Sequence, residues 1–271
     1  MRIRITTPIV LAVTAATLVL TGCGGNREAS PAAGADPLRV VGYNIRHGRG
    51  MDDSLDLART TATLADLRPD LVGLQEVDER VERSGSVDEA AELGAELGME
   101  HAFGAFMPYQ GGRYGMAILS RYPITSVNPL QLPEGNEPRI ALMAEVVLPT
   151  NDTIAVINVH FDWVRDDGFR FDQASTLATV LDTLSRPWIL LGDFNDVPES
   201  RTLELFRGLG REAGKEAGST LTFPADEPAR EIDFVFTGPG DRWEVLEARA
   251  VDERVASDHR PVLAVVRIPE G

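Results

Sequence analysis

The chain has 271 residues, 43% of them hydrophobic, with a formal net charge of −16 and a single cysteine. That hydrophobic share supports a sizeable core. The acidic balance argues against a general nucleic-acid binder, which gathers basic residues to displace phosphate counterions, and one cysteine forms no disulfide within the chain.

Arg2 and Arg4 precede an apolar segment, Ile9 to Leu20, closed by "LTGC" (Leu20 to Cys23). This is the architecture of an export signal, and the apolar run is too short to span a bilayer. Removal of Met1 to Gly22 takes away two arginines and no acid, so −16 becomes −18. "LTGC" resembles the bacterial lipobox, which places the lipidated cysteine at Cys23. The expectation is an exported lipoprotein anchored to the cell envelope. Gly24 to Pro37, "GGNREASPAAGADP", reads as a flexible tether. The expected organisation is a signal over residues 1–22, the lipidated cysteine and tether over 23–37, and one folded domain over 38–269.

Within that domain, Leu38 to Ile45 reads as a strand. Ser54 to Leu67 has helical spacing, with Ser54 as its cap and Pro69 as its stop. Asp70 to Val77 is the next strand, and Ser86 to Gly98 a second helix with Ser86 and Glu89 at capping-box spacing. Three strand-like runs follow without intervening helices: "GMAILSRYPI", "IALMAEVVLP" and "TIAVINVHFD". Phe171 to Leu184 is helical, "PWILLGDF" is a strand, and "EIDFVFTG", "WEVLEARAV" and "PVLAVVRI" close the chain as strands. Helices alternating with strands, interrupted by consecutive strands, indicate an α/β fold of mixed sheets with helices outside.

Apolar strands repeatedly end in residues with metal or phosphate chemistry: Asn44, Glu76, His160, Asp193 with Asn195, and Asp233. Asp258 and His259, in "SDHRP", lie just before the last strand. Glu76 and Asp258 are hard oxygen donors of the kind Mg²⁺ takes. With no cysteine cluster and no closely spaced histidine pair, a structural zinc site is not expected. Asp193 and Asn195, two apart, point to one side of an extended chain; one would orient a water while the other donates to a phosphoryl oxygen. Asp258 and His259, adjacent, would face different partners. A histidine in acid–base work needs a carboxylate to set its tautomer, and Asp233 is available.

The ordered set "YNI…LQEVD…YGMAILSRYP…NVH…GDFN…IDFVF…SDHRP" closely resembles the endonuclease/exonuclease/phosphatase superfamily, which includes pancreatic deoxyribonuclease, apurinic endonucleases, inositol polyphosphate phosphatases and sphingomyelinases. The resemblance runs from about Leu38 to Ile268. It implies a four-layer α-β-β-α sandwich with the active site at one end. It further implies Glu76 as principal metal ligand, with Asn44 and Asp258 near the metal. By the same resemblance Asp193 aligns or deprotonates the attacking water, Asn195 and His160 hold phosphate oxygens, and His259, oriented by Asp233, contacts the scissile phosphate. Mg²⁺, or Mn²⁺ in its place, is the implied cofactor. The sequence departs from the pattern at Met116, where many members have Asn. Arg139 matches a frequent family arginine that could grip phosphate, or it could pair with Glu137. His47, Asp162, Arg170 and Gln173 stand near the motifs, either facing the cleft or lying on ordinary surface, and His101 reads as structural.

The leading expectation is therefore a monomeric, metal-dependent hydrolase of small or lipid-linked phosphate esters. An exported nuclease of the same superfamily is the alternative, and a catalytically silent binding lipoprotein ranks below both. Loops over residues 80–86, 106–113, 163–168 and 208–227 would select the substrate.

Overall fold

A computed structural model describes residues 36–268 apart from 217, 219 and 241. The export signal, Cys23 and all but the last two residues of the tether lie outside the described residues. Among those described, no helix is long and apolar enough to cross a membrane.

Two mixed six-stranded sheets form the body. One contains β1 (Leu38–Asn44), β2 (Leu71–Glu79), β3 (Glu100–Tyr109), β4 (Gly112–Ser120), β11 (Glu244–Ala250) and β12 (Val262–Arg267), in the order β11-β12-β1-β2-β4-β3. The other contains β5 (Ile124–Gln131), β6 (Ile140–Val147), β7 (Thr153–His160), β8 (Trp188–Asp193), β9 (Arg211–Glu212) and β10 (Asp233–Gly238), in the order β5-β6-β7-β8-β10-β9. Each sheet has one parallel pair, β1 with β2 and β7 with β8. A parallel pair needs a crossover; α1 (Leu57–Leu67) supplies the first and α3 (Gly168–Asp182) the second. Both pairs end in the candidate residues, Asn44 opposite Gln75 and His160 opposite Asp193.

Strand alternation sorts the apolar side chains into three cores. Val40, Leu71, Ile118, Leu142, Val156 and Leu191 pack between the sheets. Val41, Val72, Leu74 and Leu119 face α1 and α2 (Glu89–Leu97), while Ile157, Leu190 and Phe236 face α3 and α4 (Arg201–Leu209). The result is the expected α-β-β-α sandwich. Leu191 seats one sheet on the other: a Cβ on Gly73 would stand 2.4 Å from its Cδ1.

Local differences from the sequence reading have local causes. The first helix is capped by Asp56, which accepts from Arg59 N at 3.1 Å, rather than by Ser54. The second is capped by Asp88, which accepts from Ala91 N; the expected Ser86–Glu89 box is absent because Glu89 instead accepts from Asp78 N in β2. Residues 106–113 form the closed end of the β3–β4 hairpin rather than a loop, and part of 208–227 belongs to α4 and β9. Strands β3 and β5 and helix α4 fall outside the runs with clear periodicity. Met116 is buried between the sheets, where an apolar side chain belongs.

Candidate active site

Glu76 owes its position to a β-bulge. Gln75 pairs with Met116 and Val77 with Gly115, so Glu76 has no partner, and its φ is 57°. In β2, Leu74 faces the helices and Gln75 the opposite sheet. Regular alternation would turn Glu76 toward the helices and Val77 inward. The extra residue keeps Val77 in the helix-side core and frees Glu76 to face the cavity. Beneath it, Gln75 Nε2 donates to Asn158 Oδ1 at 2.6 Å, and Asn158 Nδ2 donates to the carbonyls of Leu74 and Ala117. This buried amide pair ties the two sheets just below the site. Sequence reasoning missed it, although a polar residue inside "TIAVINVH" was its signal.

The opposite wall comes from the end of β8. Gly192, at φ 142°, lets the backbone pass where any Cβ would stand 2.0 Å from the Val159 carbonyl oxygen. Asp193 follows, fully buried, and its Oδ1 accepts from Asn195 N at 2.8 Å. Asn195 has φ 52°, so the chain turns here, and the expected same-side extended arrangement does not hold. Its Nδ2 donates to the Phe161 carbonyl at 3.1 Å, leaving one amide hydrogen and the side-chain oxygen for other partners.

Asp193 is the centre of the arrangement. Its Oδ2 lies 3.2 Å from Asn44 Nδ2, 3.4 Å from His160 Nε2 and 3.6 Å from His259 Nε2. Asn44 also donates to Glu76 Oε1, at 3.2 Å. On the far side of its ring, His259 Nδ1 donates to Asp233, 3.0 Å from the nearer oxygen. Asp193, Asp233 and His259 form a tight cluster whose ligand atoms lie within 4.8 Å of one another. This differs from the expected metal set of Glu76, Asn44 and Asp258. Asp233 occupies Nδ1 of His259, so the cluster has the geometry of a hydrogen-bonded relay.

The two histidines are driven to opposite charge states. Burial lowers the His259 pKa, but the charges of Asp233 and Asp193 outweigh it and hold the ring up at about 10. His160 is pushed well below the usual range by burial, then by Arg139 and His259, so it is neutral. Arg139 Nη1 lies 3.2 Å from His160 Nδ1. A guanidinium only donates, so Nδ1 accepts and the proton sits on Nε2, facing Asp193. Arg139 itself is buried, bound to Glu137 Oε2 at 3.0 Å and stacked over Phe106. It pairs with Glu137, one of the two readings weighed for it, and it also lines the cavity. Burial raises the Asp193 carboxyl to about 7; His259 opposes the rise and Asp233 adds to it. Glu76 is raised by burial and then by the charge of Asp258.

These groups open on a cavity of about 380 Å³ lined by Glu76, Arg139, His160, Asp193, Asn195, Asp258 and His259, with Tyr114, Glu137, Trp163, Phe223, Arg230 and Ile232 around them. Asp258 and His259 lie in a loop rather than on a strand, and both reach this one cavity. Ser257 fixes that loop by donating to the Asn44 carbonyl at 2.7 Å. Asn44 and Asp233 stand directly behind the lining. Other residues near the motifs have structural places. Asp162 is buried and accepts from Asn136 N and Val164 N, Gln173 accepts from Asp162 N, and Arg170 pairs with Asp196 at 2.9 Å. None of the three is surface, and together they brace the loops that carry Arg139 and Asn195. His101 is exposed at the start of β3, and His47 lines a different cavity.

A two-sheet sandwich with acids, amides and two unlike histidines at one end defines the class of molecule. Residues 41–259 match the Endonuclease/Exonuclease/phosphatase family, and the chain belongs to it. It is 28% identical over 176 residues to the uncharacterized protein YbhP of Escherichia coli K12, covering 62% of this chain and 69% of that protein. Among solved structures, an endonuclease/exonuclease/phosphatase from Bacteroides vulgatus aligns with TM-score 0.70 and 24% identity, covering 86% of this chain and 99% of that one. A mannosyl-6-phosphatase from Bacteroides thetaiotaomicron aligns with TM-score 0.68 and 18% identity, covering 84% of this chain and 99% of that one. At such identities the structural likeness carries the fold.

Proposed function

We propose that the chain is a metal-dependent hydrolase of phosphate esters, small or lipid-linked, exported and held at the cell envelope through Cys23, with a single folded domain over 38–269 acting as a monomer. The observation that carries the activity is the convergence on Asp193 of Asn44, His160 and His259, beside Glu76. Membership of the family supports a phosphoesterase, and the phosphatase among its structural neighbours is consistent with one. The cavity volume of about 380 Å³ suits a small ester group.

The donor set fits a hard divalent cation. Glu76 and Asp258 line one cavity, and Glu76 is raised in part by the charge of Asp258, a repulsion that a cation between oxygen donors relieves. Glu76 and Asp258, with Asn44 alongside, would hold Mg²⁺ or Mn²⁺. When bound, the ion supplies Lewis-acid stabilisation of charge on a phosphoryl oxygen.

The protein's own groups account for the rest. Asp193, with its pKa near neutrality, orients a water and takes its proton as the water oxygen bonds to phosphorus. The P–O bond opposite breaks, and the leaving oxygen departs with its electron pair and is protonated by solvent water, to which Asp193 returns the proton it took. His259 as an imidazolium, His160 through Nε2–H and the free hydrogen of the Asn195 amide donate toward phosphoryl oxygens as charge develops. No covalent intermediate is required. The test is a panel of phosphomonoesters, lipid head-group phosphodiesters and plasmid DNA, offered to the protein without residues 1–22, with Mg²⁺, Mn²⁺ or EDTA. Metal-dependent turnover of the small or lipid esters, lost in Asp193→Ala, is the expected result. Nicking of plasmid with no turnover of other esters would install the nuclease reading instead, and no cleavage of any ester would favour a silent binder.

A further inference from the structure

The loops at the catalytic end enclose a second cavity, of about 440 Å³, lined by His47, Arg49, Asp53, Arg83, Tyr109 and Gln110 together with Leu55. It adjoins the first. Arg46 places Nε 3.7 Å from Asp258, in the catalytic cavity, and Nη2 3.9 Å from Asp53, in the second. The Arg83 guanidinium lies 4.7 Å from the centre of the Tyr109 ring and 5.1 Å from that of Tyr114, one from each cavity. The turn that leads from Asn44 to the second cavity holds Arg46 and His47 at consecutive φ values of 46°, a conformation that non-glycine residues keep only under tertiary constraint.

The charges in this cavity are already matched. Arg49 Nε lies 3.2 Å from Asp53 Oδ1, and Arg83 donates to both oxygens of buried Asp78, at 2.8 and 2.9 Å. Burial, followed by the charge of Arg83, pushes the His47 pKa down to about 4, so its ring is neutral. A cavity with no spare positive charge has little to select a second phosphate. It offers guanidinium N–H donors, carboxylate oxygens, both ends of the Gln110 amide and a phenol. That mixture complements neighbouring hydroxyls, each of which donates and accepts at once.

Resting on the phosphoesterase reading above, we propose that this cavity is the leaving-group subsite and takes a neutral polyhydroxyl ring, a sugar or cyclitol, whose phosphate ester lies in the catalytic cavity.

The experiment measures kcat/KM of wild type, Gln110→Gly and Arg49→Ala on two matched pairs of esters. Glucose 6-phosphate is set against 4-nitrophenyl phosphate, and glycerophosphoinositol against bis(4-nitrophenyl) phosphate. Gln110 has φ 40° in a two-residue turn with Gly111, so glycine removes its side chain without straining the backbone. In the pair that is cleaved, the ratio of polyol to aryl kcat/KM is expected to fall at least tenfold in both variants, through KM for the polyol ester. A ratio unchanged within twofold, or a wild type that cleaves only aryl esters, overturns the proposal. If wild type cleaves neither pair, the phosphoesterase reading fails on its own. The subsite is then read by saturation-transfer NMR with methyl glucoside and myo-inositol: a signal in wild type that is lost in Gln110→Gly supports it, and no signal in wild type overturns it.

Discussion

The side-chain amide of Asn44, at the end of β1, lies 3.2 Å from Glu76 Oε1 and 3.2 Å from Asp193 Oδ2, so one NH₂ group spans carboxylates from opposite sheets. The two carboxylates have different proposed tasks, and the amide holds them in register. Asn44→Ala is expected to lower kcat by about 10²-fold, the scale on which small misplacements of reacting groups act. Asn44→Asp should be worse, because it replaces a double donor with a third buried carboxylate. Turnover of each variant, with circular dichroism to check the fold, measures this.

The acid limb of the pH–rate profile should belong to Asp193. The carboxylate must be free of its proton to accept one from water, and burial raises its pKa to about 7. kcat is therefore expected to rise with pH through about 7. Asp193→Asn should remove that limb and lower kcat by about 10² to 10⁴, the range of general-base contributions. A variant that retains a near-normal rate would remove Asp193 from the role.

The alkaline limb should belong to His259. The two acids that flank it favour the charged ring, and it titrates at about 10, so the imidazolium donor persists below that pH and is lost above it. Asp233→Asn removes the hydrogen-bonded partner of Nδ1. The fall in kcat is then expected at lower pH, with a loss of about 10²-fold at the optimum. An alkaline limb unmoved by Asp233→Asn would separate that limb from His259.

Much of this arrangement was legible because the polar residues end apolar strands. "VVGYN", "VINVH" and "ILLGD" each announce a buried strand and the residue at its mouth, and pairing of the parallel strands brings those mouths together. Glu76 was legible as a residue but not as a geometry. Its placement depends on the bulge opposite Met116 and Gly115, and a bulge depends on the register of a partner strand 40 residues away. Asn195 reaches the same cavity as Asp193 by a different route: a two-residue spacing implies a shared side only while the chain stays extended, and here it turns. Arg170 and Gln173, read as facing the cleft or lying on helix surface, are buried instead; nothing local reveals the loops that cover them. Ser54 and Ser86 stand at cap positions by spacing, yet an aspartate two residues farther on does the work in each case.

Removal of metal is expected to abolish turnover, and Mg²⁺ or Mn²⁺ to restore it after EDTA. Glu76→Gln keeps the shape of the side chain and an oxygen acceptor but removes the charge. The affinity for Mg²⁺ measured by calorimetry should fall at least about tenfold, the lower end of the losses seen when a metal site is perturbed. Unchanged Mg²⁺ affinity in Glu76→Gln would count against the ligand assignment, whatever happened to activity.

Glu89 supplies a test of stability away from the site. It is buried at the start of α2, its Oε2 accepts from Asp78 N at 2.8 Å, and burial raises its pKa from 4.5 to about 8. The folded state thus binds a proton that the unfolded chain releases near 4.5. The stabilisation linked to that proton is complete below 4.5 and is lost as pH rises through about 8. Glu89→Gln retains a carbonyl oxygen to accept the Asp78 amide and has no charge to bury. Wild type and variant should have similar urea midpoints at pH 4, whereas at pH 9 the variant should be more stable, by an amount on the order of a few kcal/mol. Equal midpoints at both pH values would mean that the Glu89 carboxylate finds a compensating partner when it ionises.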